Sequence, residues 1–206
     1  MNRKAHWEQI YHTKNINEFS WYQAVPRTSL DYIQQLGLPP DAKIIDIGGG
    51  DSFLVDHLLD LGYQNITVLD ISETAIERAE KRLGERATKV TWISADVIGF
   101  QSDELYDLWH DRAAFHFLTE ESEINSYVET ARSHIRPGGS LIMGTFSESG
   151  PTKCSGVDIK QYSAWSLTQR FQPGFEKLEC QQVNHTTPTG RNQNFTFCGF
   201  RRIETA

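Results

Sequence analysis

The chain is organised around Lys43-Ile44-Ile45-Asp46-Ile47-Gly48-Gly49-Gly50-Asp51-Ser52, a short β-branched run that holds an acid and ends in three glycines. A segment with helical spacing follows at residues 52–61, and a second apolar run ends in Val68-Leu69-Asp70. A strand, a glycine-rich turn, a helix and a second strand make a βαβ unit, in which the glycines let the backbone approach a ligand. The sequence therefore predicts an α/β fold that holds a nucleoside.

The rest of the chain continues this alternation of strands and helices. Two long β-like stretches, residues 175–185 and 194–202, close the chain around a Thr-Pro-Thr-Gly hairpin signal. The predicted class is α/β: a Rossmann-like, seven-stranded, mostly parallel sheet with helices on both faces and a C-terminal antiparallel hairpin. The other predicted elements are strands at residues 90–93, 106–109 and 140–145, and helices at residues 73–83 (capped by Ser72), 120–134 (capped by Thr119) and 164–171.

The residues before the first strand form a segment of their own. They are aromatic and polar, they predict a helix at residues 29–36, and they end at Leu38-Pro39-Pro40-Asp41, which breaks the chain. We therefore divide the chain into an N-terminal helical and aromatic segment, residues 1–41, and a ligand-binding α/β domain, residues 42–206.

Composition disfavours several partners and favours one compartment. The 206 residues carry a formal net charge of −7, which argues against nucleic acid, and no apolar run is long enough to predict a membrane span. The start of the chain has no apolar stretch typical of a secretion signal. The three cysteines, Cys154, Cys180 and Cys198, suit a reducing cytosol better than a disulfide framework, so a cytoplasmic location is expected, with Cys180 and Cys198 as buried apolar side chains. Neither the cysteines nor the histidines have metal-ligand spacing, so no metal site is predicted.

Three acids follow three successive strands and predict a charged edge of the sheet. Asp46 stands before the glycines, where it would repel a phosphate but attract a cationic ligand such as S-adenosylmethionine. Asp70 is placed to accept from two ribose hydroxyls, and Asp96 offers an acceptor to an exocyclic amine beside the backbone N–H of Val97. The alternative is that these acids cap helices or turns. The predicted cofactor contacts also include Gly48, Gly50 and Ile71.

These motifs resemble the class I S-adenosylmethionine-dependent methyltransferases. The family pattern of acid-x-Gly-x-Gly-x-Gly is matched from Asp46 to Gly50 and departs at Ser52, where the third glycine would stand. Arg136-Pro137-Gly138-Gly139 resembles the family's Pro-Gly-Gly turn before the fifth strand, and the terminal hairpin matches as well. The resemblance covers roughly residues 40–202 and implies S-adenosylmethionine as cofactor, with S-adenosylhomocysteine as product.

A narrower resemblance lies in the N-terminal segment. Trp7, Tyr11 and the run Ser20-Trp21-Tyr22 are similar to the opening of a group that includes elongation-factor-1-alpha and citrate synthase lysine methyltransferases. The resemblance implies that Trp7, Tyr11 and Tyr22 fold as a lid over the cofactor, where aromatic faces suit a sulfonium. The alternative is that these aromatics only pack an N-terminal helix on the sheet.

Candidate catalytic residues lie where the fourth strand ends, in Trp109-His110-Asp111-Arg112. His110 or Asp111 is a candidate acceptor for the proton of the nucleophile, and Asp111 is also a candidate cofactor contact. Arg112 is expected either to bind a substrate carboxylate or to hold Asp111. Methyl transfer from a sulfonium has an activated leaving group, so positioning alone is an alternative to a general base. Lys153 and Cys154, after the fifth strand, are expected to help shape the acceptor pocket.

Three functional classes remain open at this level. The leading hypothesis is a methyltransferase whose acceptor is a protein lysine or a small molecule carrying a thiol, amine or carboxylate. The second class is an NAD-dependent oxidoreductase, which Asp46 and the terminal hairpin argue against. A non-catalytic binding protein is the third, against which stands the presence of all three acids. The identity of the acceptor and the oligomeric state are not readable from the residues.

Overall fold

The structure, a computed structural model, describes residues 2–204; the outermost ends of the two predicted segments, Met1 and residues 205–206, lie outside the described residues. Seven strands form one sheet: β1 (Lys43–Ile47), β2 (Asn65–Asp70), β3 (Val90–Ser94), β4 (Tyr106–Arg112), β5 (Ile135–Phe146), β8 (Phe175–Thr186) and β9 (Asn192–Arg202). Their order is β3-β2-β1-β4-β5-β9-β8; the first five pair in parallel, and β9 pairs antiparallel with both β5 and β8. The predicted fold class is confirmed.

Six α-helices and a small separate hairpin complete the fold of residues 2–204. The helices are α1 (Arg3–Thr13), α2 (Arg27–Gln35), α3 (Leu54–Asp60), α4 (Glu73–Leu83), α5 (Glu121–His134) and α6 (Ala164–Phe171), and the hairpin is β6 (Lys153–Cys154) with β7 (Val157–Asp158). Ser72 caps α4 as predicted, because its Oγ accepts from the backbone N–H of Ala75. Three predicted starts are wrong: the helices expected from residues 29 and 52 begin at Arg27 and Leu54, and Glu120 rather than Thr119 is the N-cap of α5.

The central strand β1 is buried on both faces, which explains its unbroken apolar run. Ile45 packs into a core that holds α5 and α6, whereas Ile44 packs on the other face against α2 and α3. Both side chains are fully buried. The sheet therefore has helices on both faces, and its carboxyl edge is held between two packed layers.

The predicted turn at Arg136-Pro137-Gly138-Gly139 lies inside β5 as an irregularity of the strand. Ile135 already pairs with Tyr106, and the register then shifts so that Ser140 pairs with Leu108. Gly138 has φ of +76°, a left-handed conformation that glycine adopts without strain.

The cysteine prediction is wrong, because Cys180 and Cys198 form a disulfide across the terminal hairpin. The two residues are directly paired in the β8–β9 register. Their separation of 18 residues did not reveal this pairing, since it depends on where the hairpin turns. Cys154 is a free, buried cysteine.

Among residues 2–204, no helix is both long and apolar enough to cross a membrane.

Candidate active site

An open cavity of about 840 Å³ lies at the carboxyl edge of the sheet, with α1 over it. The cavity extends across several strands of the sheet, and the residues that line its two ends differ in chemical character. We call the end beside β2 and β3 the acidic end; it comprises Gly48, Asp70, Ile71, Asp96 and Val97. We call the end beside β4, β5 and β9 the aromatic end; it comprises Trp21, Arg112, Phe117, Phe146, Cys154 and Phe195.

The glycines clear space for the acids of the site. A Cβ on Gly50 would lie 2.5 Å from Asp70 Oδ2 and 2.6 Å from the Cβ of Ala75, so a larger residue would displace the carboxylate. A Cβ on Gly49 would collide with Asp46 Oδ2. Gly48 has φ of +64°, which favours glycine, and it lines the cavity directly. The cluster therefore admits two carboxylates as well as a ligand.

Asp70 is the most strongly perturbed acid of the cavity. Its side chain is buried, and burial raises its pKa to about 7, although backbone N–H groups of Ser72 and Gly50 lower the pKa by hydrogen bonding. Asp46 and Glu8 raise it further by repulsion. The Oδ1 atom accepts from Ser72 N at 2.9 Å. These hydrogen bonds therefore orient the Asp70 carboxylate, whose buried negative charge is unfavourable. The hydroxyl groups of a ligand would stabilise that charge by donating hydrogen bonds to it.

Asp46 lines a smaller cleft that adjoins the main cavity at Gly48. Its Oδ1 lies 2.7 Å from Nδ1 of His110, and Nε2 of His110 lies 2.9 Å from Ser29 Oγ. All three side chains are buried. Both ring nitrogens of His110 thus have partners within the protein, and the imidazole lines the smaller cleft instead of the main cavity.

Asp111 is fully buried and lies behind the wall of the cavity. Its carboxylate accepts from the backbone N–H groups of Ala114 and Phe115, at 2.9 and 3.1 Å, and from the Tyr127 hydroxyl at 2.6 Å. Burial raises its pKa to about 6, against the lowering effect of these hydrogen bonds. The arrangement fixes the backbone after β4, which forms part of the cavity wall.

Arg112 enters the aromatic end and does not hold Asp111. Both of its Nη atoms donate to the backbone oxygen of Trp21 at 3.1 Å, and its guanidinium lies 5.5 Å from the centre of the Phe195 ring. Burial lowers its pKa to about 10, which leaves it charged at neutral pH. Of the three candidate catalytic residues, Arg112 alone lines the main cavity.

Helix α1 brings Trp7 and Tyr11 to the cavity, whereas Tyr22 lies elsewhere. Tyr22 packs edge-on against Phe53 at 5.9 Å, and its neighbour Trp21 lines the cavity instead. Trp7 packs edge-on against Phe117 at 4.9 Å and joins α1 to the aromatic end.

Arg3 and Glu8 are among the side chains that fasten α1 over the acidic end. Arg3 donates to Asp96 Oδ2 at 2.9 Å and to Glu123 at 2.5 Å. Glu8 accepts from Glu73 N at 2.7 Å and from Thr74 N at 3.2 Å, so its carboxylate caps the N-terminus of α4. The helix is therefore held to Asp96 itself and to the start of α4, which follows Asp70 in the chain.

Several lining residues were not predicted from the sequence. Trp21 is adjacent to Tyr22, and the local sequence does not indicate which of the two side chains faces the cavity. Arg3 and Gly49 had no signal beyond their neighbours. Phe117, Phe146 and Phe195 read as ordinary core aromatics and meet only through tertiary packing. Of the loop residues expected to shape the pocket, Cys154 lines it, whereas Lys153 pairs with Asp158 on the surface.

Among residues 2–204, no group of three or more histidine, cysteine or acidic side chains is arranged to hold a metal ion.

The chain is similar in sequence to known methyltransferases. Residues 44–139 match a family model described as a methyltransferase domain. The chain is 29% identical over 123 residues to the mouse eEF1A lysine and N-terminal methyltransferase, covering 58% of this chain, and 32% identical over 142 residues to nodulation protein S of Rhizobium tropici, covering 69% of this chain. It spans only 17% of the mouse protein and 58% of the rhizobial one.

A solved structure supports the fold. The N-methyltransferase NodS from Bradyrhizobium japonicum WM9, in complex with S-adenosyl-L-homocysteine, superposes with a TM-score of 0.71 at 19% identity, covering 96% of this chain and 98% of NodS. Residues 44–139 are therefore similar to a methyltransferase domain, and the chain shares the fold of an N-methyltransferase solved with S-adenosyl-L-homocysteine.

Proposed function

We propose that this chain transfers a methyl group from S-adenosylmethionine to a nucleophilic acceptor bound in the aromatic end of the cavity. One observation carries the proposal: a single cavity joins the acidic end, which suits a nucleoside, to the aromatic end, which suits an acceptor. The bound cofactor supplies a methyl group on a sulfonium, which leaves without further activation. The residues of the chain then have to hold the two reactants in line and exclude water.

The proposed cofactor site uses the acids predicted from the sequence. Asp70 would accept from ribose hydroxyls, Asp96 and the Val97 N–H would contact the base, and Asp46 would face the ammonium of the amino-acid end. The space cleared by Gly49 and Gly50 and the burial of Asp46 and Asp70 support this assignment. Trp7 and Tyr11 would cover the cofactor from α1.

The geometry supports positioning rather than proton transfer at the end of β4. His110 and Asp111 have protein partners for their polar atoms and do not line the main cavity. Their predicted roles in proton transfer remain predictions. We propose instead that His110 orients Asp46 and that Asp111 fixes the backbone before Phe115.

We propose a small molecule as the acceptor. Within the described residues, the aromatic end has one charged group, the cationic Arg112, and no carboxylate that would attract a lysine ammonium. NodS is an N-methyltransferase, which favours an amine as the group that accepts the methyl. The 29% identity to the mouse eEF1A lysine methyltransferase keeps protein lysine as the second candidate.

Labelled cofactor distinguishes these acceptors. The purified protein is incubated with methyl-labelled S-adenosylmethionine and a cell lysate, and the products are separated into protein and small molecules. The proposal predicts label in the small-molecule fraction; label confined to protein would replace it with the second candidate. A thermal-shift comparison tests the cofactor itself, because S-adenosylhomocysteine and not NADH is expected to raise the melting temperature.

The cytoplasmic location stays a prediction. Cys154 is a buried thiol, whereas the Cys180–Cys198 disulfide is of a kind that persists in oxidising compartments. Fractionation of cells that express the tagged chain tests the location directly.

A further inference from the structure

The guanidinium of Arg112 has hydrogen-bonding capacity that the protein does not use. An arginine carries five N–H donors, and the only hydrogen bonds of Arg112 within residues 2–204 run from Nη1 and Nη2 to the oxygen of Trp21. Three N–H groups therefore remain available. The Trp21 oxygen on one side and the Phe195 ring on another fix the direction in which they point.

Arg112 also forms no ion pair among residues 2–204, although the Asp46 carboxylate favours its charge from a greater distance. No carboxylate lies within 4.0 Å of it among residues 2–204, whereas Arg3, the other arginine of the cavity, pairs with both Asp96 and Glu123. Arg112 is half-buried at the cavity wall, where a ligand that supplies the opposite charge would form the ion pair that the protein does not. The planar fork of an arginine matches a carboxylate with two parallel hydrogen bonds.

We propose that Arg112 is the carboxylate-binding residue of this cavity; the proposal rests on the function proposed above. Arg112 lines both the main cavity and the smaller cleft that holds Asp46 and Gly49. Two sources of a carboxylate fit this position. One is the amino-acid end of the cofactor, whose ammonium would face Asp46 across the same cleft, and the other is an aromatic acceptor that lies against Phe195.

The cofactor is tested as the source with a double-mutant-type binding cycle. One change removes the carboxylate from the ligand, and the other removes the guanidinium from the protein. Dissociation constants of S-adenosylhomocysteine and of its decarboxylated analogue are measured by calorimetry for the wild type and for Arg112→Gln. If the cofactor supplies the carboxylate, the wild type prefers S-adenosylhomocysteine by about 10- to 100-fold, and Arg112→Gln loses that preference.

The test for the acceptor source uses phenylacetate and its neutral amide as probes on protein saturated with S-adenosylhomocysteine. If the acceptor supplies the carboxylate, Arg112→Gln keeps its preference for S-adenosylhomocysteine but loses that for phenylacetate over phenylacetamide. Loss of either preference in Arg112→Gln supports the proposal and identifies the source of the carboxylate. If both preferences survive in Arg112→Gln, the proposal is overturned.

Two variants keep the result interpretable. Arg112→Lys retains the charge and should fold, and it should keep part of the preference because a lysine cannot form the bidentate pair. Arg3→Gln removes an arginine of the same cavity that already has carboxylate partners, so it should leave both ratios unchanged. If the wild type does not bind S-adenosylhomocysteine, the proposed function fails; the phenylacetate arm, run on unliganded protein, then decides the role of Arg112 by itself.

Discussion

The His110 imidazole is hydrogen-bonded to the Asp46 carboxylate, with 2.7 Å between Nδ1 and Oδ1. The two residues are directly paired across the parallel strands β1 and β4, and both are buried. The opposite ring nitrogen contacts Ser29 on α2, so a chain of hydrogen bonds links a helix of one layer to the acid beside the glycines. The side chains of His110 and Ser29 therefore orient the Asp46 carboxylate.

Replacing His110 tests this support. His110→Phe would leave the buried Asp46 carboxylate and the Ser29 hydroxyl without partners, and we expect a loss of about 2–3 kcal/mol in the free energy of unfolding. The affinity for S-adenosylhomocysteine should fall as well. Ser29→Ala, which removes only the outer hydrogen bond, should cost about 1 kcal/mol and leave affinity nearly unchanged. Urea unfolding and calorimetry measure both effects; equal affinities in the two variants would contradict the role of His110.

Binding of S-adenosylhomocysteine should depend on pH through Asp70. Its pKa is raised to about 7, and the ionised form is the one that accepts from ribose hydroxyls, so affinity rises as pH passes through 7. We expect binding about tenfold weaker at pH 6 than at pH 8. Asp70→Asn should remove this dependence, and Asp70→Ala should weaken binding at pH 8 by about 1–3 kcal/mol. Asp111 also has a raised pKa, of about 6, and Asp70→Asn leaves Asp111 in place. A pH dependence of binding that persists in Asp70→Asn would therefore point to Asp111 and not to Asp70.

The unliganded protein should show the opposite trend in stability. A folded-state pKa above the ordinary value of 3.8 means that the folded state binds more protons than the unfolded state between about pH 4 and 7. The Asp70 contribution therefore falls as pH rises through this window. Urea unfolding of the wild type and Asp70→Asn at several pH values measures it, and parallel profiles would be inconsistent with the assignment.

Gly50→Ala should disable the acidic end. The added Cβ would lie 2.5 Å from Asp70 Oδ2 and 2.6 Å from Ala75, so the carboxylate has to move. We expect a loss of at least about tenfold in affinity for S-adenosylhomocysteine. Gly199→Ala is a matched control, because its Cβ would meet only the Tyr32 ring, at 3.3 Å. Wild-type affinity in Gly50→Ala would show that Asp70 is not held where the site needs it.

Glu8→Ala should loosen α1. The substitution removes the carboxylate that accepts from Glu73 N and Thr74 N, and we expect a loss of about 1 kcal/mol together with faster hydrogen exchange along α1. Lys4→Ala, on the same helix, removes only an exposed ion pair with Glu73 and should change stability by less than about 0.5 kcal/mol. If exchange along α1 is the same in both variants, Glu8 does not fasten the helix.

Reduction should destabilise the terminal hairpin. The Cys180–Cys198 disulfide closes a loop across an 18-residue separation, for which chain entropy predicts about 3 kcal/mol of stabilisation. Urea unfolding with and without a reductant measures it. The double variant with alanine at both positions should be insensitive to the reductant, and a wild type equally insensitive would argue against the disulfide.

The α/β class and the edge of the sheet that carries the acids were predictable because their signals are local. The run from Ile44 to Gly50 defines a strand and a turn within a few residues, and an acid at a strand end is necessarily at an edge of the sheet. Boundaries were less accurate where packing extends an element. Strand β5, for example, continues through the expected turn at Arg136, since Ile135 pairs with Tyr106.

The N-terminal segment marks the limit of prediction within the site. A resemblance placed Trp7, Tyr11 and Tyr22 together, but only the first two line the cavity. Adjacent residues such as Trp21 and Tyr22 point in different directions once the backbone path is set, and that path depends on Arg112 holding the Trp21 oxygen. Periodicity carries no information about such a contact, which spans 91 residues.

The sequence by itself determined the α/β class, the glycine turn and the positions of Asp46, Asp70 and Asp96, since each follows from residues that are neighbours in the chain. Only the tertiary structure decided the partners of these groups. It paired Asp46 with His110, set Glu8 against the start of α4, joined Cys180 to Cys198 and placed Arg112 against the Trp21 oxygen. These outcomes depend on distances between residues far apart in the chain, which the packing of helices on the sheet sets and a local pattern does not encode.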